Sequence, residues 1–135
     1  MSLRIRVIAP DRTVWDGTGQ EIILPSTTGL MGILKGHAPL LTALDIGTLR
    51  IRSESGDWSP IALMGGFAEI ENNQITILVN EAQKAADINA EEADKSLAEA
   101  TTRMNNASTK KEKIEANLLL KRARARVQTK SLEKV

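Results

Sequence analysis

With 135 residues the chain is long enough for about one domain plus an appendage, and its 41% of hydrophobic residues can supply a core. Aromatic residues make up only 2%, which argues against nucleic-acid recognition by base stacking, and the absence of cysteine excludes disulfides, thiolate metal sites and a cysteine nucleophile. The net charge of +1 hides an asymmetry, because acids outnumber bases in residues 1–83 and bases outnumber acids in residues 84–135.

The first part of the chain alternates apolar and polar residues with a period of two, which is typical of strands with one buried face. The residues predicted to face a core in this way are Leu3, Ile5, Val7, Leu49, Ile51, Ile75, Ile77 and Val79. Turn-forming residues recur roughly every eight to ten positions, which favours an antiparallel sandwich or barrel. We expect about eight to ten strands that end near Val79.

Residues 24–44, "LPSTTGLMGILKGHAPLLTAL", combine glycines, prolines and the only histidine of the chain. We interpret this stretch as a shaped loop, because glycine permits tight turns and close approach of the backbone to a partner. His37 is a possible catalytic base, but a triad or a metal site needs several convergent groups and the stretch has no carboxylate. We therefore expect a turn histidine at an interface, with no catalytic residue and no metal site. A phosphate-binding loop is excluded, since "GLMGILKG" has the wrong spacing and ending.

The pattern changes to that of helices after Lys84, where glycine and proline are absent. We predict one helix over about 89–105, with Asn89 as its N-cap, and a second over about 109–132, capped by Ser108 or Thr109. The boundary divides the chain into a β-sandwich domain, 1–84, and a two-helix arm, 85–135, and the fold class is α+β. We expect the arm to form an antiparallel helical hairpin.

The facing sides of the two predicted helices are rich in alanine, which buries little apolar area per residue. The predicted contact residues are Ala90, Ala93, Leu97, Ala100, Met104 and Ala107 on the first helix and Ala116, Leu120, Ala123 and Val127 on the second. Such a contact is consistent with an arm that detaches easily and equally with a permanently docked tail.

The second helix carries the basic segment "LKRARARVQTK", residues 120–130. Three interpretations are open: a solvated helix face, a contact with an acidic protein surface, and phosphate neutralisation on a nucleic acid.

Three longer segments, residues 24–44, "GTLRI" and "GGFAEIENNQITILVNEA", resemble the epsilon subunit of F-type ATP synthases, most closely its cyanobacterial and plastid branch. The resemblance covers essentially the whole chain. It implies a non-catalytic rotor subunit of the central stalk that couples proton-driven rotation to ATP synthesis. It also implies a sandwich that binds the gamma subunit and the c-ring loops, and an arm that extends into the alpha/beta head and restrains ATP hydrolysis.

The resemblance also assigns roles to residues. It places the following residues at an interface with the c-ring or gamma: Gly29, Leu30, Met31, Gly32, Ile33, His37 and Pro39. Leu30 stands where many relatives carry a polar or acidic residue, so we expect an apolar or backbone contact in place of a salt bridge. The resemblance also implies that Arg122, Arg124 and Arg126 contact an acidic segment of the beta subunit.

Some bacterial members of that family bind ATP through an Ile/Leu-Asp-x-x-Arg-Ala motif and two arginines of the second helix. Here Ile88 and Ala93 match the motif, and Arg122 and Arg126 fit its second part. Asn89 replaces the aspartate, and Glu92 replaces the arginine and reverses its charge. We therefore expect this degenerate motif to bind ATP weakly or not at all, and we expect no cofactor.

The remaining predictions concern location and an alternative function. No apolar run approaches the roughly 18 residues of a membrane span, and the N-terminus lacks the apolar run of a signal peptide. We expect a soluble intracellular chain without direct membrane insertion, peripheral on the cytoplasmic or stromal face of an energy-transducing membrane, here the thylakoid. We expect no nucleic acid among its partners. The alternative is a free-standing module whose basic helix binds RNA or an acidic protein.

Overall fold

A computed structural model describes residues 2–133 and contains eight strands followed by two helices. The strands are β1 (Leu3–Ala9), β2 (Arg12–Gly19), β3 (Glu21–Ser26), β4 (Gly29–Leu34), β5 (Leu40–Arg52), β6 (Trp58–Glu71), β7 (Gln74–Val79) and β8 (Ala82–Lys84). One 3-10 turn (Ala85–Asp87) leads to the helices α1 (Ala90–Asn106) and α2 (Lys110–Ser131). The predicted α+β class, a sandwich followed by a helical hairpin, is confirmed.

The strands form one continuous sheet in the order β2-β1-β7-β6-β5-β3-β4, with β8 paired to β6, that encloses a single core. The eight inward positions predicted from the alternation are all buried, so the period-two pattern did locate the core. Two details differ from the expectation. β1 and β7 pair in parallel rather than antiparallel, because the chain returns to the edge of β1 after a long excursion through β2–β6. A short further strand, β8, follows Val79.

β5 and β6 are long enough to serve both layers of the sandwich, and their inward side changes at Gly65-Gly66. Ile61 and Leu63 face the core before this pair, whereas Ala68 and Ile70 face it afterwards. Both glycines have positive φ, 88° and 151°, which other residues adopt at a cost. The outward residues before the switch, Ala62 and Met64, lie under the helices.

The interpretation of residues 24–44 as a loop was wrong. The stretch contains the end of β3, all of β4 and the start of β5, and β3 and β4 form a hairpin closed by Thr27-Thr28. Only residues 35–39 between β4 and β5 are irregular. The glycine content misled the prediction, because Gly29 opens β4 with φ 129° and Gly32 lies within β4.

Both helices begin at capping residues. The Asn89 side chain accepts a hydrogen bond from the Glu92 N–H at 2.9 Å. Thr109 and Glu112 form a reciprocal capping box, in which each side chain accepts from the other residue's N–H, at 3.1 and 3.2 Å. The polar residues between the helices therefore end one helix and start the next.

α1 and α2 pack on each other through Ala100, Leu120 and Ala123, with Leu97 and Met104 at the edges. Ala90, which we had placed in this contact, is exposed and is the first residue of α1. α2 also packs on β5 and β6, through Ala125 and Thr129, which the sequence did not predict to be buried. The helical hairpin is thus docked on the outside of the sandwich, chiefly by α2.

Candidate functional site

The β3–β4 hairpin presents the predicted interface stretch at one end of the sandwich. Leu30, next to the turn, has 78% of its surface exposed. Gly29 and Gly32 are exposed and leave their backbone accessible, and Met31 is half-buried against the core. Ile33 is fully buried, so the expectation that it supplies contact area is wrong: it faces the core because it alternates with the outward Gly32 and Leu34.

Residues 35–39 lie beside the β6–β7 turn. The Gly36 N–H donates to Asn73 Oδ1 at 2.7 Å, which ties the two segments together. His37 is half-buried, and its Nδ1 lies 2.6 Å from the Ala38 carbonyl oxygen. Pro39 is exposed. The His37 ring therefore has a local backbone partner, and Pro39 is accessible to another subunit.

An exposed apolar row lies on the outer side of the sheet, and the sequence did not reveal most of it. Phe67 pairs with Ala43 on β5 and Leu78 on β7, so these side chains lie on one face, and Leu41 shares it two residues from Ala43. Leu41, Phe67 and Leu78 are 70%, 58% and 54% exposed. We call Leu41, Ala43, Phe67 and Leu78 the apolar row. The alternation in the sequence could have predicted two of these exposed positions. Leu78 falls on the polar side of "QITILV", and Leu41 lies an odd number of residues before the inward Leu44, which puts it on the opposite side of the strand.

The three arginines of α2 do not share one face. Arg122 and Arg126 are one helical turn apart and line a groove of about 1010 Å³ between the hairpin and the sandwich. Arg124 lies on the opposite side of the helix and is exposed. The Arg126 Nε–H donates to Gln83 Oε1 at 3.1 Å, whereas Arg122 and Arg124 make no side-chain hydrogen bond within residues 2–133. In the docked hairpin the basic cluster is therefore divided between the groove and the solvent.

The residues of the degenerate ATP motif have structural roles. Ile88 and Ala93 are buried under the hairpin, Asn89 caps α1, and Glu92 is exposed. None of these four lines the groove that holds Arg122 and Arg126. The two halves of the motif therefore do not line one groove. The groove carries four carboxylates and four arginines, so it has no excess of positive charge; they are Asp11, Glu81, Asp87 and Glu99, and Arg12, Arg103, Arg122 and Arg126.

Two profile models of known families together cover most of the chain. The β-sandwich domain of the ATP synthase delta/epsilon chain matches residues 2–85, and the long α-helix domain of the same chain matches residues 86–131. The chain belongs to the ATP synthase epsilon chain family. It is therefore a non-catalytic subunit of the central stalk of an ATP synthase, as the resemblance had implied.

Curated epsilon chains are similar over nearly their whole length. The chloroplastic ATP synthase epsilon chain of Porphyra purpurea is 64% identical over 128 residues, which is 95% of both chains. The epsilon chain of a cyanobacterium, Cyanothece sp., is 57% identical over 131 residues, covering 95% of this chain and 94% of that one. The predicted cyanobacterial and plastid branch is confirmed.

Solved structures share the fold of this epsilon chain. A chain in the mitochondrial ATP synthase of Euglena gracilis superposes with a TM-score of 0.84 at 22% identity, covering 98% of this chain and 82% of that one. A chain in the central stalk and c-ring structure from Tetrahymena thermophila gives 0.67 at 16% identity, covering 96% and 97%. The alternative of a free-standing RNA-binding or acidic-protein-binding module finds no support in these comparisons.

Within residues 2–133, no group of three or more His, Asp or Glu side chains is arranged to hold a metal ion. In the same range, no helix has the length and apolarity that crossing a membrane requires.

The location follows from the relatives. The chloroplastic and cyanobacterial epsilon chains indicate a peripheral subunit of a membrane-bound complex.

Proposed function

We propose that this epsilon chain anchors itself to the rotor through its sandwich and restrains ATP hydrolysis through its helical arm. The sandwich binds the gamma subunit and the loops of the c-ring, and it thereby helps couple proton-driven rotation to ATP synthesis. The observation that carries the proposal is the division of the chain into a rigid sandwich with exposed apolar residues and a hairpin docked through a thin, alanine-rich contact.

The apolar row is the proposed contact with gamma. Exposed apolar side chains that lie contiguously on a sheet are typical of a protein interface, and large side chains such as Phe67 commonly dominate its binding energy. Charged residues border the row: Glu69 on β6 pairs directly with Leu41, and Arg6 on β1 lies further along the same register line. An apolar centre with a charged border is the usual arrangement of a stable interface.

The β3–β4 turn and residues 35–39 form the proposed contact with the c-ring. Leu30 supplies apolar area at the tip, while Gly29 and Gly32 expose backbone groups. Met31, His37 and Pro39 complete the surface. This assignment omits Ile33, which is buried.

The arm is the proposed brake on ATP hydrolysis. After release from the sandwich, Arg122 and Arg126 leave the groove and join Arg124 on an exposed helix that carries several positive charges. Such a helix suits an acidic surface of the alpha/beta head, because opposite charges attract and steer association. The proposed location is the cytoplasmic or stromal face of the thylakoid membrane, in keeping with the chloroplastic and cyanobacterial relatives.

The test is ATPase activity of an F-type ATPase depleted of its epsilon chain. We expect the full chain to bind and to lower the hydrolysis rate. The variant with Arg122, Arg124 and Arg126 all changed to Ala should bind equally but inhibit several-fold less. The variant loses the hydrogen bond of Arg126 to Gln83, but the bonds of Thr129 to Thr48 and of Lys130 to Ala85 remain, so the docked hairpin should persist.

A matched control changes Lys110, Lys111 and Lys113 to Ala, which removes the same charge from the start of the same helix. This control should inhibit as well as the unmodified chain. Equal loss of inhibition in both triple variants would show that net charge, and not the position of the arginines, is responsible. A full chain that neither binds nor changes the rate would contradict the proposed function as a whole.

A further inference from the structure

The polar contacts between α2 and the rest of the chain are concentrated in the last turns of α2. Thr129 Oγ1 lies 2.8 Å from Thr48 Oγ1 on β5. Lys130 Nζ donates to the Ala85 carbonyl oxygen at 3.1 Å, and Arg126 Nε–H donates to Gln83 Oε1 at the same distance. Gln83 lies on β8 of the sandwich, and Ala85 begins the 3-10 turn that connects the sandwich to α1. The end of α2 therefore holds both the sandwich and the connection to the arm.

The beginning of α2 lacks comparable contacts with the sandwich. Ile114 and Leu118 are 61% and 43% exposed, although their side of the helix continues into the docked Ala125. The polar docking contacts of α2 therefore lie within about two helical turns near Thr129.

Thr48 and Thr129 are the buried polar pair within this contact. Thr129 is fully buried and Thr48 is 6% exposed. Thr48 pairs with Ala62 on β6, and Ala62 belongs to an apolar cluster with Met64 against which Ile46 and Val127 pack. A buried hydroxyl group without a partner is costly, whereas the same group is satisfied by water once it is exposed. The pair thus contributes little in favour of docking itself but strongly disfavours any docked arrangement in which the two hydroxyls do not meet.

We propose that the Thr48–Thr129 hydrogen bond is a latch that permits one docked register of the arm and makes its release all-or-none. A slip of α2 by one helical turn that brings Ala125 opposite Thr48 would separate the two hydroxyls by about 5 Å and leave the Thr48 hydroxyl without a partner. The latch excludes that slipped state. The arm is then either docked in the observed position or released, with no partly docked state between.

The two threonines contribute unequally to the latch. A threonine in a helix can turn its hydroxyl to the carbonyl of the residue four positions earlier, as Thr101 and Thr102 do here at 2.8 and 3.1 Å. Thr129 therefore has an alternative acceptor in its own helix when Thr48 is absent. Thr48 lies in a strand, where the residue four positions earlier is too far along the chain to offer its carbonyl, so Thr48 lacks this alternative when Thr129 is absent.

The test is amide hydrogen exchange of the isolated full chain, followed over residues 85–89 and 126–131. Thr129→Val should accelerate exchange of both segments about tenfold, since it leaves the Thr48 hydroxyl buried without a partner. Thr48→Val should accelerate it only about threefold. The double variant should exchange more slowly than Thr129→Val alone, because it removes both hydroxyls together. Thr102→Val, on the exposed side of α1, is the matched control and should leave both segments unchanged.

Exchange in the core strands β1 and β7 reports separately on the sandwich and should be the same in all variants. The proposal is overturned if both single variants exchange at the unmodified rate, or if the effect of the double variant equals the product of the two single effects. These measurements need no ATP synthase, so their outcome is independent of the proposed function.

Discussion

Gly66 is the residue at which backbone geometry most constrains the sandwich. A Cβ atom at this position would lie 2.9 Å from Val79 Cα and even closer to the Leu78 carbonyl oxygen, and φ is 151°. We predict that Gly66→Ala lowers the free energy of unfolding by more than about 3 kcal/mol, because strain and a backbone clash add. Urea unfolding followed by tryptophan fluorescence measures this. Gly56→Ala is the control, since Gly56 has φ 94° but open space around it, and should cost about 1 kcal/mol. Equal losses would mean that the close approach at Gly66 is unimportant.

Glu112 links the start of α2 to pH. Hydrogen bonding to the side chain and backbone of Thr109, together with Ser108, lowers the pKa of the Glu112 carboxyl below its ordinary value. A lowered pKa in the folded state stabilises the cap above the unfolded pKa, and this stabilisation is lost as the pH falls through the folded pKa. We predict that the first turn of α2 frays below about pH 4, as measured by NMR amide shifts of residues 110–113. Glu112→Gln keeps the hydrogen-bonding shape and should abolish this pH dependence. A transition that persists in Glu112→Gln would assign it to another group.

At the scale of the element, the helical hairpin depends on few large side chains. Leu120 is 7% exposed and packs between Ala100 and Ala123, where neighbouring alanines leave little other apolar area. We predict that Leu120→Ala weakens the pairing of α1 with α2 by about 2–3 kcal/mol while the sandwich unfolds as before. Hydrogen exchange of α1 amides, compared with those of β1, measures both effects. Leu118→Ala, at a 43% exposed position two residues away, should change neither. Destabilisation of β1 would show instead that the two units fold as one.

At the scale of the whole molecule, the apolar row is the part of the sandwich still available for a large contact. We predict that the double variant Phe67→Ser, Leu78→Ser weakens the 1:1 complex with the gamma subunit at least tenfold, as measured by titration calorimetry, because both side chains would lose buried area on binding. Leu34→Ser is the control, since Leu34 is as exposed as Leu78, at 54%, but lies on β4 away from the row. Equal weakening by Leu34→Ser would place the gamma contact elsewhere.

Much of this fold could be predicted because the deciding interactions are local. Alternation in "LRIRV" and "QITILV" located the inward residues, and Asn89 and Thr109 marked both helix starts, since a cap involves neighbours within three residues. The expectation of weak or no ATP binding also rests on the sequence alone, because Glu92 reverses the charge of the motif's arginine regardless of packing, and it stays a prediction. The exposed surface was predicted less well. Ile33 was counted among the interface residues although β4 turns its side chain inward, and the exposure of Leu41 and Leu78 was not foreseen.

The sequence by itself determined the α+β class, the division into strands and helices, and the family, because period, capping residues and motif spacing are properties of the linear chain. Only the tertiary structure decided that β1 and β7 pair in parallel, that Phe67 meets Leu78 and Ala43 on an exposed face, and that Thr129 reaches Thr48. These three features join residues far apart in sequence. Their partners are chosen by the closure of the whole sheet and the docking of α2 upon it, and no local pattern encodes that choice.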